Sequence, residues 1–252
     1  MIEFSQIILL IVSMIAGILG SLLGLGGGFI IVPALSFMSL NPHQIASTSL
    51  FSVLSTSSSS TIFYAKEGRI NYKEGIKLAI IAIPGSIIGA YVSESISIQE
   101  FRVYFALILI IGALYIIKKR NIHAKYKNGI LFLVYIGSFF AGFISSLFGI
   151  GGGIIYMPLL IGVLAISAKS STATSQFILL LSSITGLITH AYLAHPDYVL
   201  AIILIIGTFI GAQIGAYLSR KINEELLRRL VSIAIMAIAI RMIVEVLINP
   251  SG

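Results

Sequence analysis

The chain contains no cysteine and very little charge. The absence of cysteine excludes a disulfide framework and a thiolate metal site. Asp, Glu, Lys and Arg together make up 10% of the 252 residues, whereas a soluble domain carries roughly 25%. The apolar segments contain no cluster of carboxylates, which speaks against a dedicated path for a cation or a divalent metal. We therefore predict no bound metal and no cofactor.

Apolar residues dominate the chain, at 58% of the total with a mean hydropathy of +1.06. Many apolar stretches reach the roughly 20 residues that a membrane-spanning helix needs. Ten apolar segments of differing length can be marked: 4–23, 27–40, 44–65, 75–93, 101–118, 129–148, 152–167, 172–194, 198–218 and 226–248. No basic region precedes the first of them, so we expect a spanning helix there and not a cleaved signal peptide. The sequence predicts an all-α, multi-pass membrane protein.

The net charge is +7, but it does not indicate a nucleic-acid partner. The basic residues lie in short loops between apolar segments, where they carry information about topology. Most of them fall in three loops, 66–77, 118–127 and 220–229. Because short basic loops tend to stay in the cytoplasm, we expect all three on the cytoplasmic side of the plasma membrane.

Two stretches of the chain, 125 residues apart, are nearly the same. They read Gly24-Leu-Gly-Gly-Gly-Phe-Ile-Ile-Val-Pro33 and Gly149-Ile-Gly-Gly-Gly-Ile-Ile-Tyr-Met-Pro158. An old duplication explains this match, and it predicts a first repeat at 1–118 and a second repeat at 129–252. A basic cytoplasmic linker, 119–128, joins them within a single membrane domain.

Further matches follow at an offset of 126 residues. Gly85-x-x-x-Gly89 corresponds to Gly211-x-x-x-Gly215, and we expect these small-residue pairs to let helices pack closely. Within the two hydroxyl-rich segments, Thr48-Ser49 corresponds to Thr174-Ser175, and at the helix starts His43 falls opposite Lys169.

Five segments per repeat would bring the second repeat into the membrane upside down, as an inverted-topology repeat. That arrangement places all three basic loops on one side, as the positive-inside tendency requires. If segments 27–40 and 152–167 instead re-entered without crossing, the basic loop 220–229 would lie outside. We therefore prefer ten crossings, and keep eight crossings with two re-entrant segments as the alternative.

The Gly/Pro-broken second and seventh segments are the best sequence pointer to a substrate site. Three successive glycines disfavour regular helix, and Pro33 lacks an N–H group for an interior turn. Unwound backbone at membrane depth is tolerated only where it is buried in protein or lines a wet cavity. Its free N–H groups, with a helix N-terminus, attract an anion; close packing of helices is the alternative explanation. We expect substrate binding by these glycines: Gly26, Gly27, Gly28, Gly151, Gly152 and Gly153.

Segments 44–65 and 172–194 are rich in serine and threonine. A hydroxyl can donate to an oxyanion without a permanent charge, which suits a site that must also release its ligand. For most of these residues the default is a bond back to the same helix or across to another. Their duplicated positions favour a binding role for Thr48, Ser49, Thr174, Ser175 and the adjacent Gln176.

Few ionisable residues accompany these segments. His43 and Lys169 lie at the starts of paired helices, where they would line a vestibule for the anion or lie in solvated loops. His190 lies within a predicted helix, and we consider two roles for it: a proton relay or a hydrogen-bonded packing residue.

The duplicated glycine motif resembles that of the sulfite exporter TauE/SafE family of membrane permeases. The resemblance is carried by Gly24–Pro33, Gly149–Pro158, Ala46-Ser47-Thr48-Ser49 and Ala173-Thr174-Ser175, and it covers essentially the whole chain. Members are linked to sulfite, organosulfonates, thiosulfate and related small anions, so the resemblance implies transport of such an anion. The first copy has Gly20 where the second has Ser145, so the two breaks need not bind equivalently.

These observations predict a transporter, not an enzyme, that moves sulfite, a sulfonate or a similar anion by alternating access. The alternatives are an anion channel, a structural subunit without a ligand, and an intramembrane serine hydrolase using Ser182 or Ser183 with His190. No Gly-x-Ser-x-Gly elbow supports the hydrolase. The expected partners are the small anion and the lipid bilayer, with no nucleic acid; a homo-oligomer stays open.

Overall fold

The computed structural model describes residues 4–38, 40–118, 130–193 and 195–221, together with positions 236, 240 and 244. These ranges contain nine α-helices: α1 Phe4–Leu23, α2 Gly28–Ser36, α3 Pro42–Lys66, α4 Tyr72–Val92, α5 Ile98–Lys118, α6 Ile130–Phe148, α7 Gly153–Pro158, α8 Ala168–Tyr192 and α9 Tyr198–Leu218. A 3₁₀ turn, Ser93–Ser95, follows α4, and a π-helix, Leu159–Val163, continues α7. The nine helices confirm the first nine predicted segments. Apart from those three single positions, the tenth segment lies outside the described residues. The linker 119–128 lies outside them as well.

Four stretches within these ranges are long and apolar enough to cross a membrane: Gln6–Leu23, Tyr72–Ser95, Ala168–Tyr192 and Tyr198–Leu218. Large apolar side chains point outward from three of the helices, for example Ile11 of α1, Ile80 of α4 and Ile206 of α9. An outward apolar face is what lipid tails require of a spanning helix. The chain is an all-helical, multi-pass membrane protein.

Pairs of glycines let two sets of helices touch backbone to backbone. A Cβ added at Gly211 of α9 would lie 2.1 Å from the Met14 carbonyl oxygen of α1, and one at Gly215 would lie 2.3 Å from that of Ile18. The residue numbers of the paired positions increase together along both helices, so α1 and α9 run in the same direction. These approaches confirm the packing role predicted for this glycine pair.

The same arrangement joins α4 to α6. A Cβ at Gly85 would lie 2.1 Å from the Phe139 carbonyl oxygen, and one at Gly89 would lie 2.3 Å from that of Phe143. These two helices therefore also run in the same direction, and the second glycine pair has the predicted packing role.

Helix α3 lies in the interior and is held by its own hydroxyl groups. Ser55 Oγ donates to the Ile205 carbonyl of α9 at 2.8 Å, and Ser59 Oγ donates to that of Phe209 at 2.9 Å. Other hydroxyls, such as those of Ser57 and Ser60, bond back to the preceding turn. Most hydroxyls of the serine-rich run therefore bond to carbonyl groups of the same helix or a neighbouring helix, which is the packing role expected of them by default.

Because α1 and α3 both run parallel to α9, the segment between them must carry the chain back to the end where α1 begins. Helix α2 supplies nine residues of that return, roughly 13 Å of rise, which is less than half of a roughly 30 Å hydrocarbon core. The segment reverses direction as a crossing would, although its regular helix covers only part of the depth.

The two ends of the bundle carry different polar groups. We call one the arginine end, defined by Glu67, Arg69 and Arg220, which contact one another after α3 and α9. We call the other the histidine end, defined by His43, Glu94, His190 and His195. Helix α3 runs from the histidine end to the arginine end.

Candidate functional site

The helical winding stops at two places, which we call the first break (residues 24–27) and the second break (residues 149–152). Helix α1 ends at Leu23 and α2 begins at Gly28, while α6 ends at Phe148 and α7 begins at Gly153. Five glycines within the breaks have left-handed backbone: Gly24 (φ +71°), Gly26 (+77°), Gly149 (+75°), Gly151 (+87°) and Gly152 (+65°). Glycine adopts this conformation without the steric penalty of a Cβ. The predicted unwinding is confirmed in both segments.

The two breaks press against each other in the interior. A Cβ added at Gly28 would lie 2.1 Å from the Gly149 carbonyl oxygen, and one at Gly153 would lie 2.5 Å from the Gly24 carbonyl oxygen. Close packing alone therefore requires glycine at positions 28 and 153. The crossing brings both duplicated motifs to one place.

Each break is tied down by a serine from the opposite part of the chain. Ser49 Oγ on α3 donates to the Gly149 carbonyl at 2.9 Å, and Ser175 Oγ on α8 donates to the Gly24 carbonyl at 2.6 Å. All four groups are buried. The two predicted serines thus lie beside the breaks, where they satisfy carbonyl groups that the lost helical turns leave open.

Gln176, which follows Ser175 on α8, also approaches the first break. Its Nε2 donates to the Gly20 carbonyl at 2.7 Å. The side chain is fully buried, and its Oε1 has no hydrogen-bond partner in the described part of the chain. Glycine is needed at position 20, because a Cβ there would lie 2.4 Å from the Gly26 carbonyl oxygen.

Thr48 and Thr174 hold the starts of other helices. The Asp197 backbone N–H, at the N-cap of α9, donates to Thr48 Oγ1 at 3.0 Å. The Asn71 N–H, at the N-cap of α4, donates to Thr174 Oγ1 at 2.9 Å. In this structure both hydroxyls act as acceptors for backbone groups.

Valine at Thr48 or Thr174 is therefore expected to destabilise the protein. Each change leaves a partly buried backbone N–H without its acceptor, which costs about 1–3 kcal/mol. Thermal unfolding of the purified protein in detergent measures the effect. Thr208→Val is the matched control, because the Thr208 hydroxyl donates to its own helix at Leu204. Equal unfolding temperatures for all three variants would contradict this role.

The first break contains donors that have no acceptor. No described residue accepts a hydrogen bond from the backbone N–H groups of Gly26, Gly27 or Gly28. Beside them, Thr56 Oγ1 is buried and has no partner among the described residues, and it lies 2.8 Å from the position of a Cβ at Gly27. A buried donor without an acceptor is uncommon, so this group of four donors is a candidate ligand site. The N-terminus of α2 adds a partial positive charge at the same point.

The second break also contains three N–H groups, those of Gly151, Gly152 and Gly153, for which no described residue is an acceptor, but its surroundings differ. A Cβ at Gly151 would meet Val53 Cγ1 at 2.7 Å, and one at Gly152 would meet the Ala141 carbonyl oxygen at 2.6 Å. The atoms nearest to these two Cβ positions are aliphatic carbons and backbone atoms, and Ser182, which the internal match places opposite Thr56, donates to the Leu179 carbonyl of its own helix. The two breaks therefore differ in the hydroxyl groups beside them, and the expectation that they need not bind equivalently stays a prediction.

The three predicted vestibule or relay residues do not all lie together. His43 and His190 are at the histidine end, whereas Lys169 is at the arginine end, where its carbonyl accepts from Arg69 Nη2 at 3.1 Å. His190 is fully buried. Its Nε2 lies 2.9 Å from the Ser146 carbonyl oxygen, and its Nδ1 lies 2.9 Å from His195 Nδ1.

Sequence reasoning missed the partners of His190. His195 Nε2 lies 2.9 Å from Glu94 Oε1, so a chain of contacts runs from Glu94 through both histidines to Ser146. The internal match could have identified the position, because His190 corresponds to Tyr64 and Ser146 to Ser21, and the Tyr64 hydroxyl donates to the Ser21 carbonyl at 3.0 Å.

The geometry speaks against the hydrolase alternative. Ser182 Oγ and Ser183 Oγ donate to the carbonyls of Leu179 and Leu180 in their own helix. Both ring nitrogens of His190 are occupied by other partners. Neither serine therefore has a histidine base in hydrogen-bond contact, as a serine nucleophile requires.

Helices that span a membrane around two crossed backbone breaks define a polytopic membrane protein of the transporter class. The chain belongs to the sulfite exporter TauE/SafE family, whose model "Sulfite exporter TauE/SafE" matches residues 9–242. The comparison also confirms the resemblance inferred from the duplicated motif.

Several relatives are similar over nearly their whole length. The "Probable membrane transporter protein YunE" of Bacillus subtilis is 34% identical, over 96% of this chain and 98% of the relative. The "Probable membrane transporter protein MJ0441" of Methanocaldococcus jannaschii is 33% identical, over 89% and 90%. YfcA of Escherichia coli, also named a probable membrane transporter protein, is 22% identical, over 90% and 85%. No solved structure matches the chain. These names place the chain among transporters and not among enzymes.

Proposed function

We propose that the protein transports a small anion across the plasma membrane, and that the anion is a sulfur oxyanion such as sulfite or a sulfonate. The observation that carries this proposal is the set of four donors at the first break: the N–H groups of Gly26, Gly27 and Gly28 and the hydroxyl of Thr56. All four are neutral, so they would stabilise an oxyanion without holding it irreversibly. The family name supports the substrate class.

The shape of the donor group suits an oxyanion with several equivalent oxygens. Successive backbone N–H groups at a helix N-terminus form a concave anion site, and here the hydroxyl of Thr56 adds a donor from a second helix. A sulfite or sulfonate group presents its oxygens in a pyramid, so neighbouring donors engage different oxygens. A spherical halide would use the same donors less completely.

Alternating access follows if the chain consists of two inverted repeats, 1–118 and 129–252. Reciprocal contacts support this arrangement: the serine of each hydroxyl-rich helix bonds the opposite break, and the threonine beside it bonds the start of a helix in the other half. The crossed breaks would then be the fixed point about which the halves rock.

The orientation is part of the proposal. Arg220 Nε bonds Glu67, so the loop 66–77 and the first residues of the loop 220–229 lie at the same end of the bundle. The positive-inside tendency favours a cytoplasmic position for this arginine end. Residues 119–127 of the loop 118–127, which is expected on the same side, lie outside the described residues.

Thr56→Val tests the site. The change keeps the shape of the side chain and removes one donor to a charged ligand, which is worth about 1.5–3 kcal/mol. We expect the half-saturating sulfite concentration to rise at least about tenfold, measured as sulfite flux into liposomes that contain the purified protein.

Thr208→Val is the matched control, because it also removes a buried threonine hydroxyl but lies outside the breaks. Equal sulfite transport by the Thr56 and Thr208 variants would remove the first break from the mechanism. Sulfite counterflow that saturates supports a carrier, whereas flux that stays linear in concentration would favour an anion channel.

A further inference from the structure

The histidine end contains a continuous chain of three short contacts. Ser146 O to His190 Nε2, His190 Nδ1 to His195 Nδ1, and His195 Nε2 to Glu94 Oε1 each measure 2.9 Å. The chain begins at a half-exposed carboxylate, since 47% of the Glu94 side chain is accessible, and continues inward through His195, which is 5% exposed. It ends in the last turn of α6, three residues before the second break.

Counting hydrogens along this chain leaves one proton to be shared. The Ser146 carbonyl only accepts, so His190 Nε2 must carry a hydrogen. A carboxylate also only accepts, so His195 Nε2 must carry one. The contact between the two Nδ1 atoms then requires one further hydrogen, which makes one of the two rings an imidazolium. If Glu94 is protonated instead, it donates to His195 and the total is the same.

Losing that proton would remove the hydrogen bond between the two histidines. With both rings neutral and both Nε2 atoms still donating, the two Nδ1 lone pairs would face each other at 2.9 Å, which is repulsive. Binding one proton from the exposed end completes all three contacts and breaks no bond. The proton cannot continue past His190, because the next group is an acceptor that has no hydrogen to pass on. In this conformation the proton site is open at one end and closed at the other.

Two further ionisable groups lie beside these three contacts. From α3, the ring of His43 lies 4.5 Å from that of His195, centroid to centroid. Asp197, in the same loop as His195, accepts from the N–H groups of Val199 and Leu200 at the start of α9. From α6, the described group that contacts these histidines is the Ser146 carbonyl.

The arginine end has different chemistry at the matching positions. The internal match places Tyr64 opposite His190, Arg69 opposite His195 and Arg220 opposite Glu94. Arg69 lies over the Tyr64 ring at 4.4 Å. Tyrosine and arginine keep their protons throughout the physiological range, whereas histidine exchanges its proton there. Among the matching positions that the structure describes, histidines that can exchange a proton in this way therefore lie at the histidine end.

We propose that His190, His195 and Glu94 bind the proton that is coupled to anion transport. The inference rests on the proposed function and deepens it by naming the coupling ion. Glu94 lies in the first repeat, whereas His190, His195 and Ser146 all lie in the second. Release of the proton toward the opposite side therefore requires α6 to move against α8 within the second repeat, which opens the His190–Ser146 contact. The site binds one proton and releases one proton in each cycle, so it returns to its starting charge.

The test uses the purified protein in liposomes with sulfite and a pH-sensitive dye. We expect wild-type sulfite flux to be accompanied by a proton flux. His195→Gln should reduce the ratio of protons to sulfite at least about tenfold, because it removes the shared proton, while Glu94→Gln should slow proton entry. Thr189→Val, one residue from His190 and bonded to its own helix at Thr185, should keep the wild-type ratio.

Sulfite flux without protons in the wild type, or an unchanged ratio in His195→Gln, would overturn the coupling. Absence of any saturable sulfite flux in the wild type would instead contradict the proposed function. The proton site is then decided separately by ¹⁵N NMR of the histidine ring nitrogens. One imidazolium across the His190–His195 pair near neutral pH is the expected spectrum, and two neutral rings at every pH at which the protein stays folded would refute the site.

Discussion

Replacing Gly28 with alanine should prevent the protein from reaching its folded, transport-competent state. The added Cβ would lie 2.1 Å from the Gly149 carbonyl oxygen and 2.7 Å from the Ile150 Cα. Both are backbone atoms of the second break, so no side chain can turn away to make room. Overpacking a core usually costs about 1–3 kcal/mol, and we expect more than that here because two rigid segments must separate.

The matched control is Gly68→Ala. Gly68 has a positive φ of +64°, but no atom lies within 4 Å of an added Cβ. Its substitution should cost only the left-handed backbone penalty of about 1–2 kcal/mol. The yield of monodisperse protein in detergent and its unfolding temperature measure both variants. If Gly28→Ala is as stable as Gly68→Ala, the two breaks do not cross as closely as described.

Glu67→Gln should cause the second large loss of stability, at the arginine end. Glu67 accepts from Arg69 Nη1 at 2.9 Å and from Arg220 Nε. The side chains of Glu67 and Arg69 are only 15% and 14% exposed, whereas that of Arg220 is 52% exposed. Removing the carboxylate leaves the Arg69 guanidinium largely buried without its counter-charge, and we expect a cost of about 2 kcal/mol. The exposed Arg220 adds little.

The pH dependence follows from the same contacts. Burial alone would raise the pKa of Glu67, but the hydrogen bonds and positive charges of Arg69 and Arg220 outweigh it and hold that pKa below its ordinary value. A carboxyl with a lowered pKa stabilises the folded state above its ordinary pKa of about 4.3. This contribution is lost as the pH falls through the lowered value.

Unfolding temperatures between about pH 3 and pH 7 test this assignment. The gap between wild type and Glu67→Gln should be full at neutral pH and close as the solution is acidified. Glu74→Gln is the control, because Glu74 pairs with the half-exposed Lys77 at 3.1 Å within one helix turn, a contact worth about 0.3–0.5 kcal/mol. A gap that stays constant down to acid pH would show that Glu67 contributes through packing and not through its charge.

The sequence was informative wherever the signal is local. Apolar runs and loops located nine helices, and the triple glycines located both breaks, because a bilayer and a missing Cβ act on consecutive residues. The packing role of Gly85-x-x-x-Gly89 and Gly211-x-x-x-Gly215 was visible for the same reason.

The sequence could not select among the many hydroxyls. Thr48 and Thr56 lie on the same helix, yet Thr48 accepts from a backbone N–H of a distant loop. Thr56 has no partner among the described residues and lies next to Gly27. The difference depends on where other segments cross α3. Glu94 and His195 were missed for a similar reason, since they lie 101 residues apart in separate loops.

The bonds from Ser49 to Gly149 and from Ser175 to Gly24 have a consequence for biosynthesis. Position 24 is made early, but the side chain that satisfies its carbonyl is translated about 150 residues later. Until α8 has been inserted, the carbonyl of the early glycine turn therefore lacks this hydrogen-bond donor within the bilayer. Neither half of the molecule can finish its own interior, so the final shape is reached only when nearly the whole polypeptide has left the ribosome.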